Sequence, residues 1–74
     1  MEMQELRHIC DKKIEYFSLS KDKKNEEIMR RIKVILMQDN AFKRMDVSVA
    51  MNIFHDLGFN KEDAKKIYAR LLQK

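Results

Sequence analysis

A single glycine, Gly58, and no proline interrupt this chain of 74 residues. Turns between strands draw heavily on both residue types, whereas helix interiors exclude them. A chain with so little of either reads as helices joined by short polar connections. Gly58 lies between two amphipathic runs, within Leu57-Gly58-Phe59-Asn60. It marks one helix–turn–helix joint. The glycine takes the left-handed C′ position, where a Cβ is costly, and Phe59 follows at C″, where an apolar side chain packs back on the helix.

Four amphipathic segments follow from periodicity. The first runs from about Glu2 to Phe17, with Met3, Leu6, Cys10, Ile14 and Phe17 on one face at about 100° per residue. Ile9 and Tyr16 lie on its flank. Lys13 projects inside the apolar arc and reads as a lysine snorkelling at the core edge. Ser18-Leu19-Ser20 breaks the pattern, and Ser20 is the expected N-cap of the second helix, about Lys21 to Met37. The stripe of that helix is Ile28, Met29, Ile32, Ile35 and Leu36. Glu26–Arg30 and Glu27–Arg31 are i,i+4 pairs in the favourable order, each adding about 0.3 kcal/mol. Val34 and Met37 point away from the stripe, onto the face that carries Arg30.

Asp39-Asn40 reads as a turn. Ala41-Phe42-Lys43-Arg44 reads as a short helical turn whose Phe42 plugs the core, in a region, 38–46, whose conformation the pattern leaves open. The third helix spans about Val47 to Leu57, with Asp46 as N-cap. Its apolar residues cover an arc of about 200°. So wide an arc calls for contact on more than one side, from the rest of the fold or from a second copy. Asn60 caps the last helix, about Lys61 to Gln73, with Asp63 at N3. Its core stripe is Ala64, Ile67, Tyr68, Leu71 and Leu72. The expected fold is all-α: a single domain over residues 1–74, a small bundle of three to four short helices with a C-terminal helix–turn–helix.

A chain of this length buries only about 60% of the surface its unfolded form exposes. Cys10 is its only cysteine, so no internal disulfide can staple it. Efficient packing or self-association must supply stability. The net charge of +4 admits nucleic acid, an acidic protein surface or a membrane surface, and selects none of them. No apolar run has signal-peptide or membrane-spanning length, so the expected location is the cytoplasm and no membrane partner is expected.

Catalytic and metal chemistry find little support. His8 and Cys10 are two residues apart, so on a helix their side chains diverge by about 200° and cannot share an ion. His55 and Asp56 are neighbours that do not face each other. Ser18, Ser20 and Ser48 lie at helix starts, where capping accounts for them. One glycine permits no phosphate-cradling loop. We expect no enzyme, no catalytic or metal-binding residues and no cofactor. Of the six methionines, Met3, Met29, Met45 and Met51 fit core positions, and Met37 is the exposed one.

Nucleic acid is the alternative partner. Arg30, Arg31 and Lys33 could join Lys43 and Arg44 in one basic patch if the connection folds back, although Glu26 and Glu27 dilute it. As a DNA-reading helix–turn–helix the C-terminal pair is a poor match. Phe54 stands where tight helix crossing wants a small residue, and Lys61-Glu62-Asp63 puts two carboxylates on the turn that would meet phosphates.

The run Leu57-Gly58-Phe59, then Ala64 and Ile67, resembles the loop-and-helix signature of ubiquitin-associated domains. It is similar too to the small C-terminal helical domain of the Holliday-junction branch-migration protein. The resemblance implies a protein partner met through the Gly-Phe loop, hence Phe59. It covers residues 57–67 alone, and this sequence ends where those domains add a further helix.

The expectation is therefore a non-enzymatic protein–protein interaction module: a regulator, adaptor or phage-type inhibitor, self-associating as a homo-oligomer. Its candidate partner-binding residues are Val34, Met37 and Phe59. The alternative is a small basic DNA- or RNA-binding regulator using Arg30, Arg31, Lys33, Lys43 and Arg44.

Overall fold

A computed structural model describes residues 1–73, which form four α-helices and one 3-10 turn, with no strand among them. Helix α1 spans Met3–Leu19, α2 Lys23–Leu36, α3 Val47–Asp56 and α4 Lys61–Leu72; the 3-10 turn is Ala41–Lys43. This is the small helical bundle expected from the sequence, with four helices.

α1 and α2 form an antiparallel hairpin, and α3 and α4 pack together across the Gly58 corner. One core lies between the two pairs. Leu6 and Cys10 come from α1, Met29, Ile32 and Leu36 from α2, Ala50, Ile53 and Phe54 from α3, and Ala64 from α4. The 3-10 turn adds Phe42, which plugs the core as its position suggested. Its ring stacks on Phe54, with centroids 5.0 Å apart and planes 11° from parallel, and meets Tyr68 edge-on at 6.3 Å.

The α1–α2 joint corrects the sequence reading. α1 runs on through Ser18 to Leu19, and Ser20 is its C-cap rather than the N-cap of α2. Lys21 takes a left-handed φ of 59°. The Asp22 N–H then donates to the Phe17 carbonyl at 2.9 Å and the Lys21 N–H to Ser18 at 3.2 Å. This is a Schellman closure with a lysine at the usual glycine position. Asp22 caps α2 instead: its carboxylate accepts from the Asn25 N–H at 3.3 Å and from the Asn25 side-chain amide at 2.7 Å. Serine and aspartate are both good caps, and the aspartate here is the one that finds two donors.

The Gly58 corner is built as expected. Gly58 has φ 100°, its N–H donates to His55, and the Phe59 N–H donates to Phe54, both at 3.0 Å. The Phe59 ring meets Phe54 edge-on at 6.1 Å. Lys13 reaches this corner from α1: its Nζ lies 3.6 Å from where a Cβ on Gly58 would sit. It is half-buried, a lysine at the core edge. There its charge also suits the negative end of α3.

Helix α3 is covered less than its composition suggested. Ala50, Ile53, Phe54 and Leu57 are buried over roughly 100° of arc. Val47 and Val49 stay 57% and 44% exposed. Half-buried Met51 also packs against the core and widens the covered arc to about 160°, so the exposed apolar surface of α3 is Val49 at the arc's edge and Val47 at the helix start.

Cys10 is fully buried, and its thiol donates to the Met29 carbonyl at 3.1 Å, which fixes α1 against α2. Burial, reinforced by the nearby Asp11 charge and opposed by Lys33, pushes the thiol above its ordinary value of 9.0. The folded state thus keeps a proton that the unfolded chain gives up. This contribution to stability is complete below pH 9.0 and declines as pH climbs through the raised folded value. We expect alkylation of Cys10 near neutral pH to run at least tenfold slower (roughly) in the native protein than in urea. We also expect Cys10→Ala to lose part of the alkaline destabilisation. Equal alkylation rates in the two states would mean that the thiol is reachable in the fold.

Candidate functional site

The outward face of α2 is set by three tethers to α1. Arg7 Nε donates to the Leu36 carbonyl at 2.7 Å, satisfying one of the free carbonyls at the α2 C-terminus and placing a cation at its negative end. Cys10 supplies the second tether. Lys33 supplies the third, with Nζ 2.6 Å from Asp11 Oδ1. With α2 held this way, Ile32 and Leu36 face inward, and Val34 and Met37 face solvent at 63% and 57% exposure. Both candidate apolar contacts of α2 are therefore surface side chains on one turn.

The cations around them are largely partnered. Arg30 donates through Nε and Nη2 to one oxygen of Glu26, at 2.9 and 2.7 Å. Lys33 is held by Asp11. The Glu27–Arg31 pair suggested by the sequence is not formed among the described residues. Arg31 is exposed but lies about 100° around the helix from Arg30. Lys43 belongs to the separate 3-10 turn and Arg44 is its C-cap; Lys43 helps line a cleft of about 210 Å³ with Glu2, Arg7, Asn40, Phe42 and Leu71. Glu2 on its wall also meets Arg70 of α4 at 3.6 Å. The cleft is lined about equally by polar and apolar surface and is smaller than the usual ligand site of roughly 300–1,000 Å³.

Phe59 has a different setting. It is half-buried against Phe54 and lines a shallow groove of about 210 Å³ with Met51, His55, Asn60, Lys61 and Ala64. Val34 and Met37 are not among the residues of that groove. The three candidate contacts thus fall on two faces, one on α2 and one at the α3–α4 corner. No protein-family model matches this chain, and neither a curated protein nor a solved structure is significantly similar to it. The likeness of residues 57–67 to ubiquitin-associated domains rests on those residues.

Among the described residues no group of three or more His, Cys, Asp or Glu side chains could hold a metal ion. His8 and His55 are exposed and Cys10 is buried. No helix is long and apolar enough to cross a membrane. The degree of exposure of two apolar groups, Tyr16 on the flank of α1 and Leu19 beyond the predicted stripe, was not expected from the sequence. Leu19 is 77% exposed and Tyr16 66% exposed, both near the end of α1. Carrying the α1 periodicity past Ser18 would have put Leu19 roughly 140° away from Leu6, on the solvent side.

Proposed function

We propose that this chain is a non-enzymatic helical module that acts by binding protein, as a regulator, adaptor or phage-type inhibitor, and that it self-associates. The observation that carries the reading is the outer face of α2. Val34 and Met37 are exposed together there, while the cations beside them, Arg30 and Lys33, are already engaged by Glu26 and Asp11. Apolar side chains ringed by satisfied charges gain from a protein surface that excludes water. A phosphate backbone would have to compete with those carboxylates for the same cations, which weighs against the nucleic-acid alternative. The exposed Val47 and Val49 add apolar surface that a second copy can cover. A lone buried thiol suits a reducing cytoplasm.

Sedimentation and light scattering test the reading. The wild-type chain is expected to associate at high micromolar concentration. Met37→Asp and Val34→Asp should each weaken association by about tenfold or more, with the helical circular-dichroism signal unchanged. A monomer at that concentration would remove self-association from the proposal. Retention on a nucleic-acid column that weakens with salt and falls on neutralising Arg30, Arg31, Lys33, Lys43 and Arg44 would favour the alternative.

A further inference from the structure

Helix α1 carries a second apolar stripe besides the one it buries. Ile9, half-buried and packed partly on the core, and the exposed Tyr16 and Leu19 stand at i, i+7 and i+10, within about 80° of one another, with Lys12 between Leu19 and Tyr16 and Lys13 on the core side of Ile9. Together with His8, four of these residues (Ile9, Lys12, Lys13 and Tyr16) line an open trough of about 460 Å³. Its surface is mostly apolar, as lysine stems beside an isoleucine and a tyrosine make it. The Tyr16 ring is propped edge-on against Phe17, with centroids 5.4 Å apart. Leu19 extends the stripe to the end of the helix and is the most exposed large apolar side chain described.

Charge decides what can cover it. Exposed Lys12 has no carboxylate within ion-pair reach among the described residues, and neither has half-buried Lys13, whose Nζ rests at the Gly58 corner, whereas Arg30 and Lys33 on α2 are paired. A second copy of α1 is a poor cover. A two-fold antiparallel pairing about the middle of the helix sets Lys12 and Lys13 against their own counterparts, and a parallel pairing does the same. Nucleic acid would meet the lysines and leave Ile9 and Leu19 bare. Apolar side chains at helical spacing on one face of α1, beside lysines with no carboxylate partner, suit a second amphipathic helix laid along that face with its carboxylates toward the lysines.

We infer that this stripe is the docking groove for an acidic amphipathic helix of a different protein. The leucine- or isoleucine-type side chains of that helix fill the trough beside Ile9 and Tyr16 and cover Leu19. Its Glu or Asp residues meet Lys12 and Lys13. The inference rests on the protein-contact reading above but uses a different helix from the self-association face.

The test uses the isotope-labelled full chain and two synthetic amphipathic peptides of about 16 residues, roughly four turns. They share one leucine stripe and carry either Glu or Lys beside it. The acidic peptide should perturb amide resonances along the His8–Leu19 side of α1. Leu19→Asp and Tyr16→Asp should each weaken it about tenfold or more. The double variant Lys12→Glu/Lys13→Glu should reverse the preference toward the basic peptide, while Met37→Asp leaves binding unchanged. Any of three results overturns the inference: no saturable binding at about 1 mM, equal affinity for the two peptides, or perturbations centred on the outer face of α2. Binding of an oligonucleotide or of anionic vesicles through Lys12 and Lys13, with no peptide binding, would overturn it in favour of those ligands. If the peptides fail while Met37-dependent self-association persists, the groove is wrong and the protein-contact reading survives. If both fail, that reading falls as well.

Discussion

Phe54→Ala should be the most damaging single substitution, lowering stability by about 3–5 kcal/mol. The whole fold of a chain this size is worth only about 4–11 kcal/mol. Phe54 is fully buried in α3 and touches two other rings. Phe42 stacks on it, which pins the 3-10 turn, and Phe59 meets it edge-on, which closes the α3–α4 corner. Truncation leaves a cavity where three separate pieces of chain meet, so no single one can collapse to fill it. The melting temperature should fall by roughly 15–30 °C, and the urea midpoint should fall with little change in slope. A loss below about 1 kcal/mol would mean that the aromatic cluster repacks and that the corner stands without it.

Gly58→Val should also destabilise the fold, by about 1–3 kcal/mol. Space is not the reason. A Cβ there would meet only the end of the Lys13 side chain, at 3.6 Å, an ordinary contact. The cost comes from φ 100°, which a β-branched residue adopts only under strain. The same closure occurs at the end of α1, where Lys21 pays the left-handed penalty at φ 59° on an exposed turn. Lys21→Gly should therefore stabilise, by roughly 0.5–1 kcal/mol after the added freedom of the unfolded chain is subtracted. Opposite signs at the two joints, read by urea denaturation, are the signature. If Gly58→Val is neutral, the corner relaxes out of the left-handed region.

How much of this was legible depended on the range over which each feature is decided. The Gly58 corner and its Phe59 contact follow from steric rules spanning six residues, and both were readable in advance. The outward direction of Val34 and Met37 was readable too, because i, i+3 and i+4 spacing against Ile32 and Leu36 decides it. The α1–α2 joint was misread because Ser20 and Asp22 both make good caps. The choice between them depends on how far α1 extends before Lys21 turns, which no local preference for glycine marked. The width of the apolar arc on α3 overstated its contacts, since periodicity counts apolar residues and not the neighbours available to cover them. The candidate basic patch was divided for a similar reason. Its members lie on two elements, and a carboxylate of α1, Asp11, took Lys33.

Periodicity, capping chemistry and one glycine were enough to determine an all-α chain, its amphipathic segments and the C-terminal corner, because these properties are settled by backbone sterics and by residues within one or two turns. The tertiary structure alone decided which surfaces remain open. It brought Arg7 to the Leu36 carbonyl and Lys33 to Asp11, covered one side of α3, and left Ile9, Tyr16 and Leu19 beside unpaired Lys12 and Lys13. Those outcomes depend on which helices lie against each other, a choice made by close packing between residues far apart in the chain that local spacing cannot encode.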